Sequence, residues 1–102
     1  MNEERIKTLQ QLLQMDPGDV FTEFALGLEF LEAHPERAQA HFYQTLEKDN
    51  RYVAAYFQLG KLFFDQGDEK AATDWLEKGI RVAEEVGDAH AAGEMQDFLD
   101  QM

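Results

Sequence analysis

Histidines and carboxylates are the side chains of this sequence that could carry out chemistry. His90 and Glu94 lie at i and i+4, so on a helix they would share one face and could hold a metal ion with Glu84, Glu85 or Asp88 nearby. Such spacing arises often by chance on an acidic helical surface, so we predict no metal site. The chain contains no Ser and no Cys, which removes the commonest nucleophiles.

The remaining chemical motifs are equally weak. The adjacent carboxylates Asp68-Glu69 and Glu84-Glu85 are typical of helix N-termini and solvated helix faces. No glycine-rich phosphate-binding loop is present. We therefore expect no catalytic residues and no cofactor, and we expect that the protein is not an enzyme.

Composition limits the class of protein further. With 102 residues and 44% hydrophobic residues, the chain is long enough for one small folded domain and too apolar for a disordered segment. The sequence has no cysteine, no apolar run of membrane-spanning length and no apolar core of a secretory signal near its start. These features predict a cytoplasmic protein. The net charge of −12 disfavours nucleic acid and anionic membrane surfaces and favours cationic partners.

The elements that position these side chains form an internal repeat. The stretch VFTEFALGLEFLEA (20–33) aligns without a gap with VAAYFQLGKLFFDQ (53–66). Farther along, Ala38 and Phe42 align with Ala72 and Leu76 after one additional residue, which falls in the connection. An insertion in a turn between two intact patterns predicts a repeated pair of elements.

The spacing of apolar residues predicts that these elements are helices. Tyr56, Leu59, Gly60 and Phe63 lie at i, i+3, i+4 and i+7 and therefore share one helix face. Gly67 suits a left-handed helix C-terminus, Asp68 suits the next N-cap, and Pro35 suits a first helical turn.

Two glycines stand inside the predicted helices despite a cost of about 1 kcal/mol each relative to Ala. Gly27 and Gly60 follow a leucine at equivalent places in the two repeats. We expect each to lie where a neighbouring helix approaches closely. Gly93 repeats the interval between Gly27 and Gly60 once more, but it is off the apolar stripe of the last segment, so a substitution there should be milder.

The predicted domain is all-α and contains about six antiparallel helices. It comprises an N-terminal helix over 1–15, one repeat over 18–50, a second over 51–86 and a C-terminal capping helix over 88–102, together forming a single domain over 1–102. The apolar stripe of the last helix consists of Ala91, Met95, Phe98 and Met102.

The pattern aromatic-x-x-Leu-Gly-x-x-aromatic, followed one helix later by Ala-x-x-x-large apolar, resembles the tetratricopeptide repeat. The second repeat fits this pattern well, whereas in the first Glu23 stands in place of the first aromatic residue. The signature residues are Leu26, Gly27, Phe30, Ala38, Tyr56, Leu59, Gly60, Phe63 and Ala72.

The resemblance implies a function as well as a fold. In this family the first helices of successive repeats line a concave groove that binds peptides or helices of partner proteins. Five of the six inner positions carried over to this sequence are apolar, and their surroundings are acidic. The predicted partner is therefore a protein segment that is apolar with basic flanks. The groove residues are Phe24, Leu28, Leu31, Phe57, Lys61 and Phe64, bordered by Glu32, Gln58 and Asp65.

Two alternatives remain open at this point. In one, these apolar residues belong to the core of the monomer and the terminal helix covers part of the groove. In the other, the same surface joins two copies of the chain as a homodimer. Lys61 argues against full burial, because an unpaired buried charge is costly.

Overall fold

All 102 residues are described by the structure, a computed structural model, and they form six α-helices and no strand. This confirms the predicted all-α class and the number of helices. The helices are α1 (Glu3–Met15), α2 (Val20–Phe30), α3 (Pro35–Lys48), α4 (Val53–Asp65), α5 (Glu69–Val86) and α6 (Ala89–Gln101).

The chain divides into two compact units, 1–50 with α1 to α3 and 51–102 with α4 to α6. Helices α2 and α4 begin at the aligned residues Val20 and Val53. Helices α3 and α5 begin at Pro35 and Glu69, which also align once the one-residue insertion is taken into account. That 1–102 acts as a single domain stays a prediction.

Local sequence signals set the ends of the helices. Gly67 and Gly87 both have a positive φ, near 80°, which favours glycine because it lacks a Cβ. Each is followed by an aspartate that starts the next helix: Asp68 accepts a hydrogen bond from the Ala71 amide, and Asp88 caps α6 in the same way. Pro35 is the first residue of α3, where its missing N–H costs nothing.

The core of unit one lies between α2 and α3. Leu26, Phe30 and Phe42 are at most 1% exposed. Gly27 makes the close crossing possible, because a Cβ added there would lie only 2.7 Å from Cδ1 of Phe42. Helix α1 adds Ile6 and Leu9 to the buried set of this unit.

The core of unit two lies among α4, α5 and α6. A Cβ at Gly60 would lie 2.6 Å from Cδ2 of Leu76, so Gly60 marks a helix contact as expected. A third glycine, Gly79 on α5, does the same for α6, since its Cβ would lie 2.6 Å from the sulfur of the fully buried Met95. Gly93 has no atom within 4 Å of an added Cβ, which agrees with its predicted place off the packed stripe.

Eight of the nine repeat-signature residues are buried, and the ninth, Phe63, is half-buried. They therefore form the interior of the two helix pairs. No helix is both long and apolar enough to span a membrane.

Candidate functional site

The predicted contact residues of unit one separate into buried and exposed members. Phe24 does not belong to an exposed stripe: it is 8% exposed, and its ring centroid lies 5.5 Å from that of Phe42. Leu28, one turn farther along α2, is 42% exposed. Leu31 is half-buried and Glu32 is exposed. The accessible part of this predicted surface is therefore the C-terminal end of α2.

A depression of about 330 Å³ lies at this end of unit one. Its walls combine apolar side chains with carboxylates and include the residues at the start of α1. Arg5 on α1 forms an ion pair with Glu29 at 2.5 Å and ties α1 to α2 there. The lining residues are Met1, Asn2, Leu28, Glu29, Leu31, Glu32 and Ala33.

The predicted contact residues of unit two surround an aromatic side chain of the terminal helix. The rings of Phe57 and Phe64 meet that of Phe98 edge to face, at centroid distances of 5.9 and 5.6 Å. All three rings are half-buried. Helix α6 therefore covers part of this face and leaves part accessible, which answers for unit two the question that the sequence left open.

Polar members of the predicted set complete this face of α4. Lys61 Nζ lies 4.4 Å above the Phe57 ring, a cation–π contact that lets the charge remain half-buried. Gln58 is half-buried and Asp65 is exposed. The surface is thus aromatic, with one cation held against it and one carboxylate at its end.

A second depression, of about 250 Å³, lies in unit two between the N-terminal ends of α4 and α6. His90 Nε2 lies 3.4 Å from Glu94 Oε1 at its rim, so the spacing noticed in the sequence produces a surface pair. No three His, Asp or Glu side chains approach closely enough to hold a metal ion. The lining residues are Val53, Ala54, Phe57, Asp88, His90, Ala91, Glu94 and Met95.

Sequence reasoning missed a polar cluster inside unit one. Glu23 is 5% exposed, and its two carboxylate oxygens accept hydrogen bonds from Lys48 Nζ at 2.8 Å and from His41 Nδ1. The His41 ring in turn stacks on Phe30, with planes 2° apart. The sequence contained a signal for this cluster. Glu23 stands where the repeat pattern has an aromatic residue, and a glutamate buried at that position needs a basic partner on the next helix.

The environment of Glu23 fixes its charge. Burial acts to raise the pKa of this carboxyl, but the hydrogen bonds and charges of Lys48 and His41 outweigh burial and hold the pKa below its ordinary value. Nearby, the pKa of Asp19 is lowered chiefly by hydrogen bonds from Thr22, which Asp19 caps. The cluster is therefore a hydrogen-bonded structural group in which the Glu23 carboxylate is ionised at neutral pH.

Known proteins with a similar sequence or a similar fold were found for this chain. No family model matches the chain. A TPR repeat-containing protein of Pseudomonas aeruginosa is 34% identical over 95 residues, which cover 92% of this chain and 90% of the relative. The solution structure of a Bordetella parapertussis protein has a TM-score of 0.83 at 29% identity, covering 94% of this chain and 84% of that one. The crystal structure of a tetratricopeptide repeat domain protein of Salinibacter ruber has a TM-score of 0.75 at 37% identity, covering 81% and 93%.

The chain belongs to the tetratricopeptide repeat family. The resemblance predicted from the Leu-Gly pairs is confirmed. Members of this family are in general protein–protein interaction modules, and this is the class to which the protein belongs.

Proposed function

We propose that this protein binds an apolar segment of a partner protein, flanked by basic residues, on the first-helix faces of its repeats. One observation carries the proposal: six of the seven large hydrophobic side chains that are exposed lie in unit one. Isolated exposed hydrophobic residues need no explanation, whereas apolar side chains that line one depression, as Leu28 and Leu31 do at the end of α2, are typical of an interface. The six residues are Met1, Leu12, Met15, Phe21, Leu28 and Tyr43.

In unit one, Leu28, Leu31 and Glu32 are the contact residues that remain accessible in the folded chain. Phe24 stays in the predicted set as a buried support, one helical turn before Leu28. Leu28 supplies apolar area, while Glu32 supplies a carboxylate at the edge. This combination favours a partner with a hydrophobic side chain next to a cation.

In unit two, the proposed contacts are the accessible parts of Phe57 and Phe64, with Gln58, Lys61 and Asp65 around them. Aromatic side chains provide large contact area at low conformational cost, so they suit an interface even when half-buried. Asp65 would face the basic flank of the partner as Glu32 does in unit one.

The charge of the whole molecule supports the same partner. A net charge of −12 attracts cationic segments and speeds their encounter, while apolar contacts govern how long they stay bound. The partner is thus expected to be a protein and not a nucleic acid or a membrane surface, and no cofactor or catalysis is involved. The cytoplasmic location expected from the sequence belongs to the same proposal.

The experiment that tests the proposal combines identification and kinetics. Partners captured by the immobilised protein are identified by mass spectrometry, and the segment of one partner is then measured for binding to the wild type and to Glu32→Gln/Asp65→Asn. We expect the variant to associate more slowly at low salt and the difference to shrink at physiological salt, because screening acts beyond about 8–10 Å. Equal association rates at low salt would show that Glu32 and Asp65 take no part in binding. A strongly acidic partner segment would overturn the expectation that the partner carries basic flanks.

Self-association is the alternative use of the same surface, favoured by the exposed hydrophobic residues of unit one. A charge of −12 on each copy opposes it. Light scattering over a range of protein concentrations separates the two, because a homodimer would dissociate on dilution and a monomer would not change. If a dimer forms through unit two, Phe57→Glu/Phe64→Glu should yield a folded monomer.

A further inference from the structure

The terminal helix α6 is held firmly in its N-terminal half. Its Met95 side chain is fully buried in the space that Gly79 leaves on α5, and no other residue of α6 is buried. The aspartate before the helix caps its first turn, since Asp88 accepts a hydrogen bond from the Ala91 amide at 3.0 Å. A cap and one packed side chain therefore fix this half of the helix.

The C-terminal end of α6 is held weakly. A helix carries a partial negative charge at this end, where a basic residue would be stabilising. Helix α6 has no basic residue in its last turn, and it carries Asp100 there and Asp97 just before it. Asp100 accepts a hydrogen bond from Gln96 at 2.9 Å, but neither aspartate forms an ion pair. Lys61, the one cation of α4, lies over the Phe57 ring instead.

The side chain that this weakly held end places on α4 is Phe98. Its ring meets those of Phe57 and Phe64 edge to face, at centroid distances of 5.9 and 5.6 Å. All three rings are half-buried, so Phe98 covers the two α4 rings without being enclosed in the core. A side chain of the protein itself thus lies on the aromatic face that the proposed function assigns to a partner.

We propose that the last turn of α6 is a releasable cover on the aromatic face of α4, and that a partner binds there by putting an aromatic side chain in the place of Phe98. The occupant of the face indicates the side chain that it accepts, because a second aromatic ring can make the same edge-to-face contacts. Met95 and the Asp88 cap keep α6 attached while its end, from Phe98 onward, moves aside. The inference rests on the proposed function and adds to it an aromatic partner residue and an internal competitor.

The test uses a short uncharged peptide of glycine, glutamine and two phenylalanines, so that the net charge of the protein plays no part. In a matched peptide, leucine replaces both phenylalanines. NMR of the full protein reports binding through the ring signals of Phe57 and Phe64, and the methyl signal of Met95 reports whether α6 stays attached. We expect the phenylalanine peptide to shift the ring signals and the leucine peptide to bind at least about threefold more weakly.

Removing the competitor should strengthen binding. Phe98→Ala should bind the phenylalanine peptide roughly three- to tenfold more tightly than the wild type, because a site that is covered for part of the time has a lower apparent affinity. A merely structural role of Phe98 would act in the opposite direction, since its loss would loosen the site.

Strengthening the cover should weaken binding. Asp97→Asn/Asp100→Asn removes the charges that oppose the helix dipole, so amide exchange at the end of α6 should slow and the peptide should bind roughly two- to fivefold more weakly. Glu77→Gln/Glu84→Gln removes the same charge from exposed positions on α5 and should change either quantity less than about twofold. All four residues are exposed, so both variants should remain folded.

The outcomes separate this inference from the proposed function. If Phe98→Ala binds the peptide no more tightly than the wild type while the rings of Phe57 and Phe64 still report binding, the cover is overturned and the interaction surface of unit two stands. A shifted Met95 methyl signal in Phe98→Ala would also overturn it, because α6 would then depend on Phe98 for its attachment. Equal effects of the aspartate and glutamate variants would do the same. Absence of any ring shift at millimolar peptide, in the wild type and in Phe98→Ala, would contradict both the cover and the proposed contacts of unit two.

Discussion

The two repeats fill the contact between their first and second helices with different kinds of side chain. In unit two, Tyr56 on α4 packs its ring 6.0 Å from that of Trp75 on α5. The residues at the same places in unit one are Glu23 and His41, and there a carboxylate accepts a hydrogen bond from an imidazole. One repeat therefore uses an aromatic pair where the other uses a buried ion group.

The difference shows which part of the repeat pattern is indispensable. Both crossings keep a glycine that admits the next helix, Gly27 against Phe42 and Gly60 against Leu76. The first aromatic position, in contrast, tolerates Glu23 because basic side chains of α3 satisfy the carboxylate. Close backbone approach is the requirement of the fold, and a large packed group at the aromatic position can be apolar or ionic provided that its polar atoms are paired.

The largest effect is expected from filling the two helix crossings. Gly27→Leu and Gly60→Leu should each destabilise their unit by about 1–3 kcal/mol or more, because a core at full density cannot accept an added side chain. Phe42 and Leu76 are both fully buried, but the loss should be greater at Gly27, since the ring of Phe42 is rigid whereas the Leu76 side chain can change rotamer. Thermal melts and amide hydrogen exchange, resolved for each unit, measure both effects.

Gly93→Leu is the matched control for these two variants. It introduces the same side chain into a helix at a glycine with no neighbour within 4 Å, so it should cost far less than either. If the melting temperature of Gly60→Leu equals or exceeds that of the wild type, Gly60 is not needed for the close approach of α5.

The next effect concerns the ion group that distinguishes unit one. Glu23→Gln keeps the size of the side chain but removes the charge that Lys48 and His41 surround, and should destabilise unit one by roughly 1–3 kcal/mol at pH 7. Amide exchange in α2 and α3 should accelerate. Glu47→Gln, on the exposed face of α3, should change stability by no more than about 0.5 kcal/mol. If the two variants are equally stable, the buried charge of Glu23 contributes no more to the stability of unit one than the exposed charge of Glu47 does.

The pH dependence of unit one should report the same cluster. Because the pKa of Glu23 is lower in the folded protein than its ordinary value, its contribution is fully present above the unfolded pKa and is lost as pH falls through the folded one. The difference in unfolding free energy between wild type and Glu23→Gln should thus shrink as the pH falls below about 5. Urea unfolding at each pH measures it, and a difference that stays the same down to about pH 3 would contradict this assignment.

Much of this architecture follows from the sequence because the repeat supplies two copies of each signal. The Leu-Gly pairs, the caps at Gly67 and Asp68, and the apolar stripe through Met95 each predict a local feature that the structure contains. The cluster around Glu23 did not follow, because it joins residues that are distant in the chain and whose pairing depends on the register between two helices.

The accessibility of the predicted contact residues was equally hard to obtain from the sequence. Helical spacing places Phe24 and Leu28 on the same side of α2, yet Phe24 is 8% exposed and Leu28 is 42% exposed. The difference comes from the neighbouring helix, since the Phe42 ring lies against Phe24. Periodicity gives the face of a helix, whereas the boundary between core and surface on that face depends on the size of the side chains packed against it.

The smallest effect is expected at the glycine that breaks the pattern within unit two. Gly60 is a contact point between helices, as Gly27 is, whereas Gly93 is exposed on α6 and faces no packed neighbour. A glycine inside a helix costs about 0.5–1 kcal/mol relative to alanine because it loses more backbone freedom on folding. Gly93→Ala should therefore raise the stability of unit two by up to that amount, whereas Gly60→Ala should lower it, since its Cβ would lie 2.6 Å from Leu76. Amide exchange in α6 and α5 measures the two changes on the same unit. A loss of stability in Gly93→Ala would show that this face of α6 is packed, and would undo the distinction between the two glycines.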